Sequence, residues 1–232
     1  MFVDSAGNDS ITGGSGTNTL DFSNAPGAVS INLATGTAQN GFGGTDTISN
    51  LQIVKGSTHG TVLVGGSAAV TLDVEGSGNT ITGQAGALTI IDYAAAPAGI
   101  TVDLIAGTVT GGFGGVDKIA GPLGFHGTAF DDTFVVGSEG FAIDGGGGTN
   151  TLDLSAVPAG VDFNLATGVG GSGLDSFANI QDFKGTAFDD VFTAGPGSYA
   201  IVGGGGHDVL VMHGASGGYA MASDGDGGVV IT

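Results

Sequence analysis

The chain has 232 residues, 50 of them glycine and none cysteine, which excludes disulfides and thiolate metal sites. Its 22 acidic residues face only Lys55, Lys118 and Lys184, and the formal charge of −19 argues against nucleic acid or anionic membrane as partners. With 41% hydrophobic residues in short alternating runs the chain should fold, and no apolar run approaches the roughly 20 residues that span a bilayer.

In chain order, the N-terminus shows neither a basic region nor an apolar signal core. Phe2 aligns with Phe134 and Phe192 in the middle of a repeat, so the sequence reads as cut from a longer parent. The glycine-rich stretch Gly13-Gly14-Ser15-Gly16-Thr17-Asn18-Thr19-Leu20 returns at Gly145–Leu152 and again at Gly203–Leu210. A second landmark, proline followed by an alternating strand, begins at Pro26, Pro97 and Pro158. Its predicted strands are Val29–Leu33, Ile100–Leu104 and Val161–Leu165, with Asn32, Asp103 and Asn164 on the outer face. Gly-Thr-Ala-Phe-Asp-Asp occurs at 127–132 and at 185–190. Phe130, Phe134, Phe188 and Phe192 are expected to stack inside as aromatic ladders.

Repetition at this scale predicts an all-β fold, a right-handed parallel β-solenoid (β-roll or β-helix) of roughly a dozen coils in which each unit buries its apolar face against its neighbours. The expected organisation is one array over 1–232. Its modules are approximately 1–65, 66–137, 138–195 and 196–232, the second with an extra coil near 68–86 and the last partial or capping. The repeat length admits both a two-sheet and a three-faced coil.

The residues that could carry chemistry are the turn aspartates. All acids except Glu75 and Glu139 are aspartate, and short carboxylates in glycine-rich turns suit a hard cation with oxygen ligands. Aspartate also simply favours turns. Asp190 precedes Asp208 by one two-strand coil, Asp175 stands one turn earlier, and Asp117 with Asp132 repeats the pattern. Asp175, Asp190 and Asp208 are therefore the leading candidate ligands, with Asp117 and Asp132 second. Asn18 and Asn150 occupy the equivalent position without charge. In the first module Gly56-Ser57-Thr58-His59-Gly60 has lost both carboxylates and Asp46 has no obvious partner, so few calcium ions are expected there. Asp131 and Asp189 precede the candidate ligands and are read as outward-facing.

Gly203–Val211 and Gly170–Ala178 match Gly-Gly-x-Gly-x-Asp-x-U-x, with U a large apolar residue, and Gly41–Ser49, Gly112–Ala120, Gly127–Val135 and Gly185–Thr193 nearly do. On these motifs the chain resembles the repeats-in-toxin, or haemolysin-type, calcium-binding repeat family in a degenerate, long-period form. The resemblance implies Ca²⁺ shared between adjacent coils through sixth-position aspartates, and folding coupled to ion binding. It further implies a non-catalytic segment of a large secreted or surface bacterial protein, exported by a type I route. Calcium ions are then the expected partners, alongside head-to-tail self-association or cell-surface and matrix partners, without nucleic acid or membrane insertion. Two alternatives stand beside it: a metal-independent rod of an adhesin, surface layer or fibre, and the repeat region of a secreted enzyme.

Catalysis by the segment itself is not expected. Asp131 and Asp132 are adjacent and would point to opposite faces of a strand, which spoils a two-carboxylate mechanism. His59, His126, His207 and His213 lack metal-ligand spacing, and arginine is missing for an acidic substrate.

Overall fold

The computed structural model describes residues 1–170, 175–212, 221–223 and 229–231. Within them the chain is all-β, with no helix, and its strands form a twelve-stranded and a fifteen-stranded sheet. Through much of its length the chain alternates between the two. Ile53–Lys55 lies in the smaller sheet, Thr61–Val64 in the larger, Val70–Asp73 in the smaller and Thr80–Thr82 in the larger. Each return pairs in parallel with the previous pass: Ile53 lies beside Thr71, Val62 beside Thr80, Thr133 beside Thr151 and Val191 beside Val209. Long parallel sheets built this way fit a β-solenoid with two strands per coil, not three. The stretch 68–86 supplies one such strand to each sheet.

Parallel registration stacks like side chains into ladders. Leu20, Val54, Leu72, Ile91, Phe125, Ile143 and Phe177 run in register along the inner face of the smaller sheet. Val102, Phe134, Leu152, Phe183 and Ile201 do so in the larger. All are buried in one continuous core, each contributing roughly 1.5–3 kcal/mol if fully removed from water. The two sheets meet through aromatic contacts: Phe177 and Phe183 lie 5.5 Å apart edge-on, and Phe183 and Phe192 6.3 Å apart. Phe134 and Phe192 are buried as expected, whereas Phe130 and Phe188 are each 47% exposed. Both sit within the turn itself, ahead of the strand, where the two-residue alternation has not begun.

Each proline landmark opens a three-stranded antiparallel meander, where one strand was expected. The first comprises Val29–Asn32, Thr37–Gln39 and Thr45–Ser49; the second Ile100–Asp103, Thr108–Gly111 and Gly115–Ala120. The third comprises Asp162–Asn164, Val169–Gly170 and Asp175–Ala178. In every case the last strand pairs in parallel with the preceding coil and the first with the following one. The chain steps ahead two strand positions and fills back. Asn32, Asp103 and Asn164 initiate the hairpins: their Oδ1 atoms accept from the N–H groups of Thr35, of Ile105 and Ala106, and of Ala166 and Thr167. Gly36, Gly107 and Gly168 close the same turns at φ of 71°, 68° and 65°. At the far end Met221–Ser223 and Val229–Ile231 pair antiparallel and extend the larger sheet beyond Tyr199–Val202. The linking residues 213–220 and 224–228 lie outside the described residues.

Candidate metal centre

Two of the turn aspartates, Asp132 and Asp190, are buried and bonded by their own turns. Asp132 accepts from the Ile100 N–H at 2.7 Å, the Thr128 N–H at 2.7 Å and the Thr128 hydroxyl at 3.0 Å. Asp190 repeats the arrangement with the N–H groups of Val161 (2.9 Å) and Thr186 (2.7 Å) and the Thr186 hydroxyl at 2.9 Å. Both carboxylates thus find their partners within the chain. Burial still holds the Asp132 carboxyl above the usual range, against the opposing bonds from Thr128 and Ile100.

Sixth-position side chains also join one coil to the next. The Asp132 N–H donates to Asn150 Oδ1 at 2.9 Å, and the Asp190 N–H to Asp208 Oδ1 at 3.1 Å. Asn150 in turn donates through Nδ2 to the carbonyls of Gly147 and Asn179, which a carboxylate could not do. Asp131 and Asp189 accept from the N–H groups of Thr149 (2.7 Å) and His207 (2.8 Å) one coil further on. Fifth-position aspartates are inter-coil struts as well as solvent-facing groups.

Of the five candidate ligands, Asp190 and Asp208 are neighbours; Asp190 is fully buried and Asp208 exposed. Asp117 and Asp132 are not neighbours. Two meander strands separate their positions, roughly 14 Å at normal strand spacing. Asp117 faces inward, accepting from the Asn79 N–H at 2.8 Å and from the Tyr93 hydroxyl at 2.6 Å. The strand that begins at Asp175 is likewise two strands removed from the one that follows Asp190, and the Asp175 side chain lies outside the described residues.

The closest gathering of carboxylates lies where few were expected. Ligand oxygens of Asp4, Asp9 and Asp46 all come within 4.8 Å of one another, the one such group among the described residues. Asp46 comes from the last strand of the first meander, and its Oδ1 accepts from the Asp9 N–H at 2.8 Å and the Asn40 amide at 3.2 Å. Asp4 follows the first strand, and its N–H donates to the Asp21 carbonyl, which turns its side chain inward. Asp46 is fully buried and Asp4 only 6% exposed. Asp46 Oδ2 and both carboxylate oxygens of Asp4 have no hydrogen-bond partner. Burial, with Asp46 opposite, pushes the Asp4 carboxyl up to about 7. Sequence reasoning missed Asp46's partners because the back-filled meander, not the repeat spacing, sets it beside Asp9.

These two environments differ as cation ligands. The ladder carboxylates spend their lone pairs on chain donors, whereas the cluster has three carboxylates and orphaned oxygens, a donor set that suits a hard cation. Comparison with protein families and with curated proteins returns no match to this chain.

Proposed function

We propose that the chain is a non-catalytic structural segment, a right-handed parallel β-solenoid of roughly a dozen coils within a large secreted or cell-surface bacterial protein. The observation that carries this reading is the state of the turn carboxylates. Asp132 and Asp190, buried in the turns that the sequence pattern marks for calcium, each receive three hydrogen bonds from the chain. A buried carboxylate with that many donors is stable without a cation. The geometry therefore favours a rod whose coils are held by ladders and a continuous core over an array that folds only when calcium arrives. Its secreted, bacterial setting rests on the resemblance to haemolysin-type repeats. A role for calcium is supported at one place, the Asp4–Asp9–Asp46 cluster.

Far-ultraviolet circular dichroism during thermal melting tests this, in excess chelator and in millimolar Ca²⁺. A full β spectrum with a cooperative melt in chelator is expected. Asp190→Ala strands three donors at about 1–3 kcal/mol each, so it should destabilise by at least about 3 kcal/mol in total, equally in both media. A coil spectrum in chelator that turns to β on adding Ca²⁺ would overturn the reading and restore calcium-driven folding.

A further inference from the structure

The second module is an internal control for the first. Asp46 and Asp117 occupy the same position on the last strand of their meanders, and each accepts at 2.8 Å from the N–H of the turn residue beside it, Asp9 or Asn79. Around Asp117 the remaining carboxylate oxygen is bonded by the Tyr93 hydroxyl, and Asn79 is neutral, its amide donating to the Gly76 carbonyl. The position equivalent to Asp4 is Val74, a buried core residue. One carboxylate sits there, and both of its oxygens are bonded.

Around Asp46 three neighbours have changed in the same sense, while a fourth, Asn40 in place of Gly111, adds an amide donor to the already bonded Oδ1. Phe22 stands where Tyr93 does and brings no hydroxyl, Asp9 replaces Asn79, and Asp4 replaces Val74. Three changes, at positions 4, 9 and 22, converge on one spot. They remove one donor, add two carboxylates and leave three buried oxygens without a partner. A group of this kind in a core is strongly unfavourable unless something positive meets it. Neither Lys nor Arg does, since the ion pairs of the described lysines join Lys55 to Glu75 and Lys184 to Asp153.

We propose that Asp4, Asp9 and Asp46 bind one calcium-sized divalent cation, which ties the first strand and its turn to the first meander. Three carboxylates offer up to six oxygens, and Ca²⁺ accepts about six to eight at roughly 2.3–2.6 Å in flexible geometry, including bidentate carboxylates. Mg²⁺ demands near-octahedral ligands at about 2.0–2.1 Å and keeps several waters, so a site built from carboxylates with Asp4 and Asp46 buried suits it less well. The site is independent of whether the rest of the array folds without metal.

The test is isothermal titration calorimetry of the full chain with Ca²⁺ and with Mg²⁺, on wild type, Asp46→Asn, Asp4→Val and Asp208→Asn, each with its melting curve in chelator. Wild type should bind one Ca²⁺ at this site with Kd of about 10⁻⁴–10⁻³ M, as extracellular modules do, and Mg²⁺ at least about ten-fold more weakly. Asp46→Asn keeps the acceptor for the Asp9 N–H and gains a donor towards Asp4. Asp4→Val restores the residue with which the neighbouring module folds. Both should weaken binding at least ten-fold and melt higher than wild type in chelator, while Asp208→Asn leaves this binding unchanged. Absence of Ca²⁺ binding by wild type, or undiminished binding by folded Asp46→Asn and Asp4→Val, would overturn the site; equal affinity for Mg²⁺ would overturn the choice of calcium. A calorimetric null with an intact β spectrum in chelator removes this site alone. A coil spectrum in chelator removes the scaffold reading, whatever the calorimetry shows.

Discussion

A buried aspartate can be matched by chain donors, by a proton or by a cation, and the first is seen at Asp190 and Asp117. Asp190 takes three chain donors; Asp117 takes a peptide N–H and a tyrosine hydroxyl. Asp4 has neither, and its carboxyl is raised from 3.8 to about 7 by burial and by Asp46. A folded value above the unfolded one means that the group's contribution is fully present below pH 3.8 and is lost as pH rises through 7. In chelator, the melting temperature of wild type relative to Asp4→Val should therefore fall steadily between pH 5 and pH 8. A pH-independent difference would contradict the assignment. The asparagines obey the same accounting with opposite needs, since Asn150 must donate to two carbonyls as well as accept. The identity of these residues and the local Thr186–Asp190 spacing were legible in the sequence; the donors from Val161, Asn79 and Tyr93 were not, because they lie 24 or more residues away.

At the scale of elements, the strands, the repeat and the inward apolar positions were readable from alternation and glycine punctuation. The meanders were written there too, in the recurring Asn32-Leu33-Ala34-Thr35-Gly36, Asp103-Leu104-Ile105-Ala106-Gly107 and Asn164-Leu165-Ala166-Thr167-Gly168, each an Asx-initiated turn that ends in glycine. Their direction of filling was not, since it depends on which distant strand each edge pairs with. That order moves Asp117 away from Asp132 and brings Asp46 to Asp9. Gly107 shows how firmly the hairpin is specified: its φ is 68°, and a Cβ would meet the Ile119 carbonyl oxygen at 2.9 Å. Gly107→Ala should destabilise by about 1–3 kcal/mol, read as a lower urea midpoint at constant slope. Gly14→Ala, where a Cβ meets nothing within 4 Å, should change stability by less than about 0.5 kcal/mol. Equal effects would show that the turn conformation does not matter.

For the whole molecule, cohesion comes from neighbours only: ladders of Leu, Ile, Val and Phe inside, and a line of turn side chains bonded to the next coil at the edges. The aromatic expectation split along this division, because Phe134 and Phe192 lie on strands while Phe130 and Phe188 lie in turns. On the proposed reading the repeating part needs no ion, and among the described residues the one group of three carboxylates is that of the first module. The claim turns on what the buried turn carboxylates hold. The direct measurement is hydrogen exchange by NMR, in chelator and then in Ca²⁺, of the amides of Ile100, Thr128, Val161 and Thr186, which donate to Asp132 and Asp190. The account predicts exchange as slow as that of core strand amides in chelator, and no change with calcium. Fast exchange in chelator that slows on adding Ca²⁺ would contradict it, and would mean that these carboxylates wait for a cation.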